Sequence, residues 1–463
     1  MPAPDPFALP VPVPTGNPLR SRATWLLSHG LARRLLLREA ARGDLLAGLA
    51  MDPALRADPF AGYEELRRRG PMTTTRLAAG TVDHAVADAV LRSEDFGVAG
   101  GHGELPRPLQ WLLARVFDNR ATGPVDPPSM LALDPPEHTR QRKLVSRAFT
   151  ARKVGGLEDT IATVAARLVD ELAAGPERVD LVDRFASRLP LVVIAELLGV
   201  PEEDHDRLLA WSNIAAQSLD PGLSWAEFRR IELAIRRLHV WFDAHVERLR
   251  KHPGDDLLSR LATLDGPDRP TEDELKATGL LVLGAGFETT VNLIGNAVAL
   301  FDSHPDQLAV LRDDPGLWPR AVDEVLRFDS PVQITLRQAH RDTEVAGVRV
   351  AGGTAVLTFL GGANRDPAVF ADPQRFDVTR GNADQHLSFS AGVHYCLGAS
   401  LARLETKVAL HTLYDRFPDL RVDGPPVRRG TRVLRGYEHL PIVLGDAAGR
   451  PTTQPASTPS SRA

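Results

Sequence analysis

Cys396 is the only cysteine in the chain. Its chemistry is that of one thiol, because no second sulfur exists for an internal disulfide or for structural zinc spacing. It stands in the run Phe389-Ser390-Ala391-Gly392-Val393-His394-Tyr395-Cys396-Leu397-Gly398. Gly392 and Gly398 allow a tight turn on each side of the sulfur, and Leu401 to Lys407 reads as the opening turns of a helix. Peptide N–H groups and the positive end of that helix would hold the sulfur as an anion. Such a helix end contributes about 0.3 to 1 kcal/mol when exposed and more when buried. A thiolate so held is a metal ligand. Taken by itself, the cysteine reads more simply as a small buried apolar residue.

A second group that could do chemistry is Gly284-Ala285-Gly286-Phe287-Glu288-Thr289-Thr290, in the middle of a helical pattern from Glu272 to Asp302. Each glycine inside a helix costs about 0.8 to 1 kcal/mol against alanine, so the pair needs a reason. Small residues here let a flat group approach the backbone. The Thr289 hydroxyl can bond back to the Ala285 carbonyl and open a local groove. An acid beside an alcohol, Glu288 beside Thr289, is what proton delivery into a dry pocket requires. The bland alternative is a glycine-bearing buried helix with ordinary packing.

Charged residues form the third group. In Asp134-Pro135-Pro136-Glu137-His138-Thr139-Arg140-Gln141-Arg142, prolines precede a helix on which His138 and Arg142 share a face. Arg140, Lys143 and Arg147 form a basic stripe roughly opposite Arg142. That stripe is either a solvated face or a docking patch for an acidic electron carrier. Glu324 and Arg327 fall on one helix face, a spacing that is worth under about 1 kcal/mol when exposed.

The pattern F-x-x-G-x-H-x-C-x-G resembles the haem-thiolate loop of the cytochrome P450 family. The segment around Glu288 and Thr289 resembles the family's oxygen-binding helix, A-G-x-[DE]-T. The resemblance implies haem b with Cys396 as axial iron ligand and Phe389, Gly398 and Ala285 against the ring. Thr289 would hydrogen-bond dioxygen and Glu288 would supply protons through water. His138, Arg142, Arg337 and His394 would pair the ring carboxylates. Glu324, Arg327 and Arg375, the last in Phe370-Ala371-Asp372-Pro373-Gln374-Arg375-Phe376, would form a buried network beneath the haem. Ser390 stands where many relatives have glycine, and the position is expected to need only a small residue. By family position the substrate pocket draws on parts of 106–133, on Leu281, Ala285 and Thr289, on Gln333, Ile334 and Thr335, and on the turn Leu434 to Tyr437. The implied fold is mainly α with small β-sheets, a triangular single domain with haem between the central helix and the cysteine loop.

The elements around these residues are legible from composition and periodicity. With 43% hydrophobic and 25% charged residues in 463, the chain can bury a large core. A net charge of -5 favours neither nucleic acid nor an anionic membrane through overall charge. No run of eighteen apolar residues and no basic leader are present, and the expected location is cytoplasmic. Prolines predict a disordered tail over 1–18, and Pro, Ser and Thr predict another over 447–463, leaving one domain over 19–446. Helices are predicted over Leu157 to Ala174, Leu191 to Leu198, Ser224 to Lys251, Glu272 to Asp302 and Pro305 to Asp313. Strand-like runs fall at Thr335 to Arg337, Thr343 to Val350 and Ala355 to Phe359. From Thr24 to Leu49 the chain is basic and amphipathic, with Leu27, Leu31 and Leu35 at four-residue spacing beside Arg33, Arg34, Arg38 and Arg42. This is either a helix packed on the body or a helix on a membrane surface.

No G-x-G-x-x-G follows a strand to open a helix, so electrons must come from a separate chain. The leading expectation is a monooxygenase acting on a lipophilic natural product, served by ferredoxin and ferredoxin reductase, with nicotinamide used only indirectly. A peroxide-driven haem-thiolate enzyme on fatty-acid-like substrates and a haem sensor are the alternatives. Neither has a use for the acid and alcohol at Glu288 and Thr289.

Overall fold

The computed structural model describes residues 17–98, 123 and 126–445. Its axis is the helix Glu272–Ser303. Thr271 and Glu274 start it by exchanging side-chain to backbone hydrogen bonds, which satisfies two of the N–H groups a helix leaves open. Ser224 and Glu227 start Trp225–Lys251 in the same way. Both starts, and the helix Pro305–Asp313, lie where the sequence predicts them.

The central helix is apolar nearly all round. It packs against Arg188–Leu197 on one side and Ala399–Arg416 on another. Phe287, Val291, Ile294, Val298 and Phe301 sit in the largest core with Leu189, Val325 and Leu410. Burying such side chains is worth about 1.5 to 3 kcal/mol each, which fixes this helix in place. By length and composition it could cross a membrane, but most of its apolar stretch is buried in the fold.

A five-stranded sheet forms the other wall of the site, in the order Thr73–Thr74, Ala79–Thr81, Ala355–Phe359, Ile334–Ala339, Phe96–Gly97. Ile334–Ala339 pairs antiparallel with Ala355–Phe359, placing Arg337 opposite Val356. The predicted strand Thr343 to Val350 is instead a hairpin, Thr343–Val345 against Val348–Val350. Ala346 and Gly347 turn it with φ of 48° and 79°. An alanine in the left-handed region carries none of the usual turn signal, which is why the run read as continuous.

The N-terminal region differs from expectation in two respects. The predicted tail over 1–18 overlaps a helix, Pro18–Trp25, capped by the Asn17 side chain with Pro18 in its first turn. Residues 1–16 and 446–463 lie outside the described residues. The amphipathic stretch 24–49 is not one helix but Pro18–Trp25, a π-helical turn Leu26–Gly30, Leu31–Ala41 and then Leu45–Met51. Leu27, Leu31 and Leu35 are only partly covered. They are 48%, 52% and 42% exposed, while Trp25 makes the contact, edge-on to Trp225.

Beneath the cysteine loop, Glu324 and Arg327 are fully buried and joined by two 2.7 Å hydrogen bonds. Arg327 also donates to the carbonyls of Asn364, Pro373 and Arg375. The expectation for Arg375 is corrected. Its side chain is exposed and only its carbonyl joins the network. The second guanidinium on Glu324 is that of Arg380, at 3.2 Å.

Candidate active site

Between the middle of the central helix and the cysteine loop lies a cavity of about 380 Å³, lined mainly by apolar groups. The sulfur of Cys396 opens onto it. The loop is held by a hydrogen bond from Cys396 N–H to the Phe389 carbonyl at 2.9 Å and from Tyr395 N–H to Gly392 at 3.1 Å. Gly392 has φ 68°, and a Cβ there would collide with the carbonyl oxygen of Leu91. The expectations for the two neighbouring positions change. Ser390 has φ 61°, so the position favours glycine for its backbone and not merely for its size. Gly398 has an ordinary φ of -88° with open space around it, so it leaves room toward the cavity and makes no special turn. Burial pushes the Cys396 thiol up, while the Gly398 N–H and the charges of Arg142 and Arg403 pull it down. Arg403 lies over the Phe389 ring, its carbon 4.6 Å from the centroid.

On the facing wall, Ala285 is exposed in the middle of an otherwise buried helix, because it borders the cavity. The Thr289 hydroxyl donates to the Ala285 carbonyl at 2.9 Å, the bond the sequence predicts, within a helix that stays continuous. The two glycines have separate roles. Gly284 has free space where a side chain would stand, whereas a Cβ on Gly286 would come within 2.6 Å of Ile194. Glu288 lines the cavity but is closed to solvent, and Arg429 holds it at 3.0 Å. Burial raises its pKa, with Arg429 and Asn292 opposing. Its second oxygen has no hydrogen-bond partner among the described residues.

His138, Arg142, Arg337 and His394 converge on one side of the cavity. The rings of His138 and His394 stand 4.2 Å apart. Burial, followed by Arg337, His138 and Arg142, pushes His394 down to about 3. Burial also lowers His138 and Arg337. His138 Nδ1 and His394 Nε2 are buried without hydrogen-bond partners among the described residues. Asp134, 3.9 Å from His394, is the anion beside this cluster. Convergent cationic groups and orphaned ring nitrogens fit a ligand bearing carboxylates. With a thiol on one wall and a small-residue groove on the other, the site fits a flat metal macrocycle such as haem.

Of the predicted pocket residues, Leu281, Ile334 and Thr335 line the cavity. Gln333 and Tyr437 do not, and those two are corrected. Gln333 donates to the Ser330 carbonyl at 2.6 Å and accepts from the Tyr63 hydroxyl at 3.1 Å. Tyr437 lies beneath the Arg428 guanidinium, 3.9 Å from ring centroid to carbon. Leu434 and Met130, inside the expected stretches, also line the cavity, joined by Val433, Ala215, Leu219 and Leu238. The last three are apolar residues in helical segments that read as ordinary core. Most of 106–133 lies outside the described residues. In the basic stripe, Arg140 is taken by Glu137 and Glu274. Lys143 and Arg147 border a separate groove of about 1150 Å³ with a charged lining and no cysteine.

Comparisons with known proteins agree with this geometry. Residues 317–426 match the family model described as Cytochrome P450. Over 433 residues the chain is 48% identical to a putative cytochrome P450 140 of Mycobacterium tuberculosis, covering 93% of this chain and 99% of that protein. Over 316 residues it is 45% identical to a 6-deoxyerythronolide B hydroxylase of Saccharopolyspora erythraea, covering 67% of this chain and 76% of that one. The crystal structure of Mycobacterium smegmatis CYP164A2 in a ligand-free state superposes with a TM-score of 0.76 at 38% identity, covering 86% of this chain and 99% of the other. With a cysteine loop, a threonine bonded back to its own helix and a cationic rim around one cavity, and a relative that matches almost from end to end, the chain belongs to the cytochrome P450 family.

Proposed function

We propose that this cytochrome P450 monooxygenase hydroxylates or epoxidises a lipophilic natural product of the polyketide or macrolide class, within a single domain whose expected span of 19–446 the N-terminal helix extends back to its cap at Asn17. The observation that carries the reading is the apolar cavity bounded by Cys396 on one wall and by Ala285 and Thr289 on the other. One relative supports the substrate class by its named substrate, the 6-deoxyerythronolide B hydroxylase.

In this reading Cys396 would hold the iron of haem b through its sulfur, and Phe389, Gly398 and Ala285 would line the site of the ring. Arg142 and Arg337 would neutralise the propionates, and the uncharged rings of His138 and His394 would supply hydrogen bonds to them. When bound, the haem supplies the reductive activation of dioxygen. Thr289 orients a hydrogen-bonding partner in the groove beside Ala285. Glu288 stores a proton at a carboxylate that burial makes easier to protonate, and Arg429 fixes its position. Leu281, Ile334, Leu434 and Val433 exclude water and give an apolar substrate its contact, while Thr335 supplies a hydroxyl. Electrons come from a ferredoxin and its reductase on the cytoplasmic side, with Lys143 and Arg147 available to an acidic carrier.

The test is a screen of macrolactones, polyketides, sterols and fatty acids for a low-spin to high-spin shift of the purified haem protein. Hits are then turned over with surrogate ferredoxin partners. A macrolactone that shifts the spin state and is oxygenated supports the reading. A response confined to fatty acids, or turnover by peroxide alone, overturns it.

A further inference from the structure

Scattered surface leucines are ordinary, but those of the N-terminal helices are not scattered. Leu27, Leu31 and Leu35 follow one another a turn apart, with Leu19 and Leu26 continuing the exposed side toward the N-terminus. The exposed polar residues among them include Arg34 and Arg38, whereas Arg22 turns inward over the Trp225 ring. Between residues 17 and 43 the one acidic residue is Glu39, which is buried and holds Arg42. A chain of net charge -5 thus carries a locally cationic, leucine-rich stripe. With the intervening turn, Pro18–Ala41 spans about 36 Å at 1.5 Å per residue.

The stripe is held facing outward. On the inner side, Trp25 donates to the Leu223 carbonyl at 2.9 Å and Arg33 to the Gly222 carbonyl at 3.0 Å. Ser21 donates to the buried Glu232 at 2.7 Å. Among the described residues these anchors leave Leu27, Leu31 and Leu35 about half exposed, and covering the rest takes a further surface.

We propose that the outward face of Pro18–Ala41 docks on a membrane surface containing anionic phospholipid. Leucines interleaved with arginines on one exposed helical face match an interfacial helix, whose apolar side chains enter the acyl boundary while guanidinium groups reach phosphate. Charge complementarity selects the occupant. A second copy packed about a two-fold axis would set arginine against arginine, whereas an anionic leaflet attracts both Arg34 and Arg38. The position gives docking a use. Ala215, Ala216 and Leu219 line the cavity, and the chain that follows them carries the Gly222 and Leu223 carbonyls on which the stripe is anchored. The cavity wall is therefore beside the lipid, from which a lipophilic substrate can partition.

The test is flotation of the haem-loaded protein with vesicles of phosphatidylglycerol or of phosphatidylcholine. Wild type should float with phosphatidylglycerol and lose binding as salt rises. Arg34→Gln and Arg38→Gln should each weaken binding roughly fivefold. The triple change Leu27→Ser, Leu31→Ser, Leu35→Ser should abolish flotation while leaving the ferrous-carbonyl spectrum and melting temperature unchanged. Three results overturn the proposal: wild type that stays in the soluble fraction with phosphatidylglycerol, a triple variant that floats like wild type, or a stripe-dependent dimer in the absence of lipid. None of these readouts depends on the substrate.

Discussion

Arg429 and Glu288 form an ion pair at 3.0 Å with 14% and 2% of their side chains exposed, joining the middle of the central helix to the C-terminal hairpin, in which Val427–Arg428 pairs antiparallel with Tyr437–His439. Removing one partner of such a pair leaves a buried charge, which commonly costs about 3 to 5 kcal/mol. Arg429→Ala should fall near the lower end, about 3 kcal/mol, because Glu288 can take up a proton instead. In a Glu288→Gln background the same change should cost under about 1 kcal/mol, since no charge is stranded. Urea denaturation of the four proteins checks this. An equal cost in both backgrounds would show that the pair is not coupled.

Thr289→Ala should separate electron use from product formation. Iron ligation and the apolar walls are untouched, so substrate affinity should hold. Without the hydroxyl, reducing equivalents should leave as peroxide and the ratio of product to nicotinamide consumed should fall. Glu288→Gln should instead slow turnover with an enlarged solvent isotope effect. Wild-type coupling in Thr289→Ala would remove the threonine from the proposed role.

The network beneath the loop ranks three arginines. Arg327→Ala removes both 2.7 Å bonds to the buried Glu324, leaving it the longer Arg380 contact as counter-charge, and deprives three carbonyls of their donor, so it should cost about 3 to 5 kcal/mol and give apoprotein or aggregate. Arg380→Ala should be milder, because Arg327 still pairs Glu324. Arg375→Ala should change stability by less than about 0.5 kcal/mol, since its side chain is exposed. Haem content and thermal melting of the three variants test the order, and a severe Arg375→Ala would contradict it.

Ser390→Gly should stabilise the protein by about 0.5 to 1 kcal/mol, relieving a left-handed backbone at the expense of some unfolded-state entropy. The serine hydroxyl is buried without a hydrogen-bond partner among the described residues, so its loss should do no harm. A lowered melting temperature would mean that the hydroxyl has a partner in the loaded site.

Acidification should destabilise the fold partly through His245. This ring is buried, stacked on Trp241 and bonded through Nε2 to the Leu198 carbonyl. Burial lowers its pKa below the ordinary 6.5, the Leu198 bond opposes this and Arg248 adds to it. The unfolded chain therefore binds the proton first, and stability present above about pH 6.5 is lost as pH falls toward the folded value. Melting temperature against pH should slope less between 6.5 and 5 in His245→Gln than in wild type. Parallel curves would clear His245 of the effect.

What could be read from the sequence was what is encoded locally. The cysteine loop, the Thr289 bond to Ala285 and the bounds of Pro305–Asp313 depend on residues within a few positions of one another. What could not be read depends on how distant segments meet. Arg429 and Arg380 carry no local sign of their carboxylate partners, and a surface arginine is the usual reading of either. Gln333 and Tyr437 stand beside cavity residues, but the turn of the backbone sends their side chains elsewhere. Leu27, Leu31 and Leu35 have the periodicity of a packed helix. Periodicity finds a face without saying what it meets.

The C-terminal hairpin serves several masters at once. Val433 and Leu434 shape the cavity, Arg429 holds Glu288, and Arg428 and Arg435 hold the buried Asp329 at 2.9 and 2.7 Å. Its backbone also bonds to Pro331 and Gln333, just before the strand that supplies Ile334 and Thr335. Substrate range and acid placement are therefore not modular in this chain. Transplanting the whole hairpin from a relative would exchange the pocket and disarm the acid together, so a library built to change selectivity should vary Val433 and Leu434 on a fixed triad of Arg428, Arg429 and Arg435.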